Sequence, residues 1–341
     1  MYSESDIDGA VTAGAITPDA AEALRRHVAA SSATPAADEE HFRLLTGFND
    51  IFVSIAIVLL LVAVGQIGLR LSYPLGGAFV AGAAWMLAEY FTARRRMALP
   101  SILLLIAFVG GVAGALAGVL QLIAPNLDDR AGALAAAGIA LCAAGAAWLH
   151  WRRFMVPITV AAGAAALVAT AIGLIMAAIP DVKQAVWPLL LIGGLAVFAV
   201  AMRWDMSDTD RKTRRSDVAF WLHLAAAPMI AHSVFQMLGV FRGDIGAGMA
   251  LVVVALYVAF AAIALAVDRR ALLVSGLAYV LAALYALFRS AGAVELGTAL
   301  TAFVIGSALL CLSAFWQPMR RAVVTTLSQS LRHRLPPVAM A

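Results

Sequence analysis

Residues 216–239, SDVAFWLHLAAAPMIAHSVFQMLG, gather the side chains with the most chemical capacity in the apolar part of this chain: His223, Pro228, His232, Ser233 and Gln236. Histidine exchanges a proton near neutral pH. An ionisable residue inside an apolar helix is costly and defaults to a functional hypothesis. On a helix rising 1.5 Å per residue, both histidines sit roughly 6 to 8 Å from the midpoint of a 217–239 span. They are nine residues apart, which puts them on opposite faces of a straight helix, so they do not form a two-ligand metal site. His232 and Gln236, four apart, share a face. The sharper expectation is that His232 and Gln236 line a polar cavity for a solute or a proton. The plainer one is that neutral histidines hydrogen-bond neighbouring helices and fix the bundle. Pro228, in mid-span, predicts a kink.

Glu89 stands near the inner end of another apolar run, one turn before Arg94. It reads as a carboxylate that reaches the interface or pairs with an arginine, with a coupling role as the alternative. Asn49 and Asp50 open the first run, where Asn49 can cap and Asp50 suits the helix dipole. The two cysteines, Cys142 and Cys311, lie inside apolar runs and read as small packing residues. There is no H-E-x-x-H, no G-x-S-x-G, no phosphate loop and no pair of mid-membrane carboxylates. The sequence therefore predicts no enzyme, no cofactor, no metal and no nucleic-acid partner.

The elements that must carry these residues follow from composition. Of 341 residues 63% are hydrophobic and 13% charged. Soluble domains carry about 25% charged residues, so lipid is the solvent over most of this length. A bilayer core needs roughly 20 apolar residues per helix. Spans are predicted at 49–69, 74–92, 99–123, 132–150, 155–179, 185–202, 217–239, 246–267, 271–289 and 294–316. The result is an all-α polytopic integral membrane protein of about ten transmembrane helices. The separators carry charges or turn residues, such as Arg94-Arg95-Arg96, Pro125-Asn126 and Pro180-Asp181. With the N-terminus inside, 19 of the 24 basic residues fall in inner segments and 5 in outer loops. The positive-inside rule selects this orientation, with both termini cytoplasmic. The first apolar run is expected to be the insertion signal. Trp148, Trp151, Trp187, Trp204 and Trp316, near span ends, suit the headgroup region.

The polar segment 1–47 predicts two short helices, 3–13 and 17–30. Thr17 caps the second, Pro18 opens it, and Gly14 ends the first. Ile7, Val11, Ile16, Ala21, Leu24 and Val28 supply a small hairpin core. Residues 31–37 read as a linker, and 38–48, with Phe42, Leu45 and Phe48, as an amphipathic lead-in on the membrane surface. Residues 317–341 read as a cytoplasmic basic tail. The stretches AGAITPDAAEALRRHVA (13–29) and TGFNDIFVSIAIVLLLVAVG (46–65) resemble a bacterial membrane-protein family, domain of unknown function 2157. That resemblance implies an N-terminal helical hairpin joined to an Ala/Gly-rich multi-span region. It brings no activity and no site residues.

In lipid, small residues let helices approach. Gly110, Gly114 and Gly118 predict one packing face, Ala78 and Gly82 a second, and Gly132, Ala136, Ala140 and Ala144 a third; such faces also offer an oligomer contact. Asp208 to Arg215, in the inner loop 203–217, reads as topology signal and solvation, with an acidic partner or anionic headgroups as the alternative. Two function classes follow. One is a secondary transporter or permease for a small solute, since ten spans divide into two sets of five, which would be inverted relative to each other. The other is a non-transporting scaffold, sensor or assembly factor that docks a protein partner through the N-terminal hairpin. The partner common to both is the lipid bilayer.

Overall fold

The computed structural model describes residues 4–31, 48–179, 185–209, 211, 213–240, 246–290, 297–332 and 335–336. Among them there is no strand. The chain divides into two compact units, one ending at Arg43 and one beginning at Leu44.

The first unit holds α1 (Glu4–Thr12) and α2 (Pro18–Ser31). Gly14 turns the chain with φ 70°, a left-handed conformation that glycine adopts without cost. The Ala20 amide donates to Thr17 Oγ1 at 3.2 Å, opening α2. The pair has a thin core. Ala21 is buried, Ile7, Val11 and Ile16 are half-buried, and Leu24 is exposed. The expected linker and the amphipathic lead-in at 32–47 lie outside the described residues. So do the side chains of Val28 and Phe48, and the Pro180-Asp181 turn.

In the second unit each apolar interval is helical. The helices are α3 (Phe48–Leu71), α4 (Tyr73–Ala88), α5 (Ala98–Ile123), α6 (Asp129–Phe154), α7 (Ile158–Ala178), α8 (Val186–Met206), α9 (Arg214–Met237), α10 (Ala247–Val267), α11 (Ala271–Ser290) and α12 (Gly297–Ala314). Eight of these are long and apolar enough to cross a membrane, and a helix also closes its own backbone hydrogen bonds, as lipid requires. The other two are α4 and α11. α4 has 16 residues and runs on as a π-helical turn, Glu89–Arg94. The segment expected to be a basic tail holds most of α13 (Trp316–Thr326) and the short α14 (Gln329–Arg332).

Local sequence explains the ends. Asp128 accepts from the Ala131 amide at 2.7 Å and caps α6. Thr213 accepts from the Arg215 amide at 3.2 Å and caps α9. Pro74 sits in the first turn of α4, where no amide hydrogen is missed.

Packing runs on glycine and alanine, on faces that only partly match those expected. A Cβ on Gly77 would stand 2.2 Å from the Ala115 backbone nitrogen, and one on Gly111 2.7 Å from that of Ala81. The α4–α5 seam is thus Gly77 and Ala81 against Gly111, Gly114 and Ala115, with Gly118 against Tyr73 and Pro74. Gly82 and Gly110 face open space. On α6 the seam uses Ala133 and Ala137, into which Gly173 of α7 fits. One residue on a helix is 100°, so a stripe shifted by one position turns to another neighbour.

The two sets of five helices do not repeat this packing. α4 and α5 lie along each other, whereas α9 packs on α8, α11 and α7 rather than along α10.

Candidate functional site

Two buried carboxylates organise the end of the second unit where α8 stops, α9 starts, α10 stops and α11 starts. Asp205, in the last turn of α8, is 2% exposed. Its Oδ2 lies 2.8 Å from His223 Nε2 on α9. Arg269, 2% exposed, donates to both carboxylate oxygens, through Nη2 to Oδ1 and through Nε to Oδ2 at 3.3 Å. The same Nη2 lies 3.3 Å from the Ser216 carbonyl and hydroxyl oxygens. His223 is fully buried, with the Phe198 ring against it at 5.1 Å between centroids. Its Nδ1 has no hydrogen-bond partner among the described residues. One proton on Nε2, donated to Asp205, is the arrangement that leaves the least unpaired.

The second carboxylate, Asp268, ends α10 in the left-handed region with φ 61°, a conformation Asp tolerates better than most residues. Arg211 Nη1 pairs with its Oδ2 at 3.0 Å, and Nη2 donates to its carbonyl at 2.9 Å. Trp316 Nε1 donates to Oδ1 at 2.7 Å. Arg320 Nε stands 3.5 Å from Oδ1, and its Nη2 donates to the Pro336 carbonyl at 2.6 Å. Asp208 holds the intervening loop, accepting from the Thr213 amide at 2.9 Å and its hydroxyl at 2.6 Å. Acidic groups at helix C-termini oppose the dipole. Here three arginines compensate for it.

Of the sequence candidates, only His223 belongs to this cluster. His232 faces the other way, as the nine-residue spacing requires. Its Nδ1 bonds the Tyr279 hydroxyl of α11, Gln236 Nε2 lies 3.5 Å from its Nε2, and Trp187 packs edge-on at 5.1 Å. Tyr279 in turn stacks on Phe235 at 4.1 Å. Glu89, in the π turn, pairs with Arg153 at the end of α6, at 2.9 and 2.6 Å through two bonds, rather than with Arg94. That pair is exposed, at 37% for Glu89 and 52% for Arg153.

Sequence reasoning missed Asp205, Asp268, Arg269 and Arg320. All four stand at span edges, where a charge reads as a solvated loop residue. The available signal was that acids, Asp205 and Asp268 among them, interrupt an otherwise arginine-rich set of inner turns. It also missed His150, fully buried among Trp85, Phe108 and Phe154, with Thr159 Oγ1 3.4 Å from its Nδ1.

Between the two histidines, α9 borders an apolar crevice of about 220 Å³ shared with α8, α10 and α11. Leu195, Phe198, Ala227, Ile230, Ala231 and Phe260 line most of it, and neither His232 nor Gln236 is in the lining. Phe198 touches both the crevice and His223, so one ring separates the apolar space from the buried charges. Chemically, the cluster can hold or release a proton and can bind or free a carboxylate. Among the described residues no group of three His, Cys, Asp or Glu could hold a metal ion. Comparison with known proteins gave no match to a protein family, to a curated protein or to a solved structure.

Proposed function

We propose that this chain is a ten-span secondary transporter or permease of a bacterial inner membrane, with both termini cytoplasmic, and that it moves a small, largely apolar solute. The observation that carries this reading is the crevice on α9 lying one side chain away from Asp205, His223 and Arg269. Buried ion networks of this kind are weak stabilisers, because desolvation offsets the attraction. Their best-attested use is to fix one of two arrangements. A proton or cation taken up at Asp205 would loosen its hold on His223 and Arg269 together, freeing α8 from α9 and from the α10–α11 turn.

Ten spans, rather than eight, are supported by the side-chain pairs that join helix ends. Glu89 and Arg153 join the ends of α4 and α6, so α5 and α6 go out and back. Asp205, Ser216, Asp268 and Trp316 bring the end of α8, the start of α9, the α10–α11 turn and the start of α13 together. The pairs α9–α10 and α11–α12 then each go out and back as well. The 20 residues of α11, and the 16 of α4 continued by six in the π turn, suffice for a crossing.

The test places single cysteines at Ala227 and Ile230 after replacing Cys142 and Cys311 by alanine. A small water-soluble thiol reagent should label both positions in native membranes, faster with Asp205→Asn. Complete protection in every background would favour a closed scaffold. That second reading draws on α1 and α2, whose exposed Leu24 suits a docking surface for a protein partner. Deleting residues 1–37 should then leave the membrane unit inserted and folded while removing the partner. Loss of the folded membrane unit would contradict a docking role.

A further inference from the structure

A second crevice, of about 200 Å³, opens where the α10–α11 turn meets the start of α13. Its lining includes Arg270, Ser313 and Trp316 at the helix ends, and Val274, Leu277 and Leu309 further in. Val274 and Leu277 stand about one and two turns beyond Arg270 on α11, and Leu309 one turn before Ser313 on α12. The crevice therefore grades from polar to apolar toward the middle of the spans. Arg270 is half-buried, and its guanidinium carbon lies 4.8 Å from the centre of the Trp316 ring. That contact attracts the positive charge but gives its five N–H groups no acceptor. Among the described residues no ion pair or hydrogen bond engages the Arg270 side chain. Asp268, two residues before it, is buried and already shared by Arg211, Arg320 and Trp316 Nε1. Asp205 is held by Arg269 and His223. Arg270 thus adds a positive charge that the two buried carboxylates do not offset. Ser313 is exposed, and so are Val274 at 66% and Leu310 at 73%, which carry apolar surface along α11 and α12.

We infer that this crevice binds an anionic membrane phospholipid, with the headgroup phosphate on Arg270 and Ser313 and an acyl chain between α11 and α12 along Val274, Leu277 and Leu309. Span ends are where headgroups lie, and basic pockets between helices on the arginine-rich side take anionic ones. The guanidinium presents its N–H groups in a fork that matches phosphate oxygens. Among the described residues the lining holds no carboxylate. A headgroup ammonium would find no partner there and would stand beside Arg270. A headgroup of net negative charge meets no such penalty. The apolar part of the crevice selects a lipid over a free phosphate, which would leave it empty. The inference rests on α11 and α12 lying in the bilayer and not on transport. The crevice shares no lining residue with the one on α9.

The experiment uses the full chain in detergent micelles and native mass spectrometry. The probes are phosphatidylglycerol, phosphatidylethanolamine and phosphatidylcholine with identical acyl chains, and free glycerol phosphate. Phosphatidylglycerol should bind about tenfold more tightly than either of the other lipids. Arg270→Ala should weaken it about tenfold and erase the preference. Arg94→Ala, which removes an exposed arginine at another helix end, should leave it unchanged. The comparison among lipids on the unaltered chain stands whether or not the Arg270 variant folds. Equal binding of the three lipids, no change on Arg270→Ala, or equal losses from the two arginine variants would overturn the assignment. Competition by free glycerol phosphate at the lipid's own concentration would overturn the membrane as the source. No readout involves Ala227 or Ile230, so failure here and failure of the transport reading are distinguishable.

Discussion

Asp205 is costly at the residue scale and would be poorly explained as a stabiliser alone. Removing its carboxylate leaves Arg269 and His223 buried without their partner. Breaking one side of a buried pair costs about 3–5 kcal/mol, so Asp205→Ala should lower the thermal stability of the purified chain sharply. Glu89→Gln breaks a pair that water already reaches, and exposed pairs are worth about 0–1 kcal/mol; its melting temperature should barely move. If the two variants melt alike, the cluster is not the buried network described. The same contrast explains what was legible. The histidine spacing on α9 was sufficient to put His223 and His232 on opposite faces, and they are. The partners of His223 were not legible, because Asp205 and Arg269 are 64 residues apart and meet only through the packing of α8 against the α10–α11 turn.

At the scale of the helix, the period of small residues foretold close approach but not which position makes it. Of the stripe Gly110, Gly114 and Gly118, the last two meet Gly77 and Pro74, whereas Gly110 faces open space and Gly111 meets Ala81 instead. A stripe of alanine and glycine is nearly uniform around α5, so side-chain size alone does not fix the rotation. The partner helix does. The structure separates the two kinds of glycine. Gly77→Ala puts a methyl group 2.2 Å from the Ala115 nitrogen and should cost about 1–3 kcal/mol or more as the seam is forced apart. Gly82→Ala meets nothing within 4 Å and should be neutral, or gain up to about 1 kcal/mol of helix propensity. Denaturation of both variants in one detergent checks the pair; equal losses would mean the seam runs elsewhere. The C-terminal segment illustrates the opposite failure. A basic composition suggested a cytoplasmic tail and gave no sign that Trp316 and Arg320 are buried against Asp268. Trp316 had read as a headgroup anchor. A tryptophan has one hydrogen-bond donor, and the carboxylate that receives it was invisible to local reasoning.

At the scale of the whole molecule, composition was enough to identify the class, because a chain with so few charges has no other solvent than lipid. Alternation of apolar runs with arginine-bearing turns marked the helices within a few residues. It did not reveal that the predicted span 74–92 ends in a π turn, Glu89–Arg94, because such a turn has no signature in hydropathy. Division into two matched halves was arithmetic and not packing, since α4–α5 and α9–α10 differ. What ties the account together is the passage of the chain from side to side. Between Asn126 and Arg214 lie α6, α7 and α8, an odd number, each long and apolar enough to cross a membrane. Single cysteines replacing Asn126 and Arg214, both exposed, test this on the background lacking Cys142 and Cys311. A membrane-impermeant thiol reagent applied to one face should label one of them, and applied to the other face only the other. Labelling of both from the same face would contradict the account.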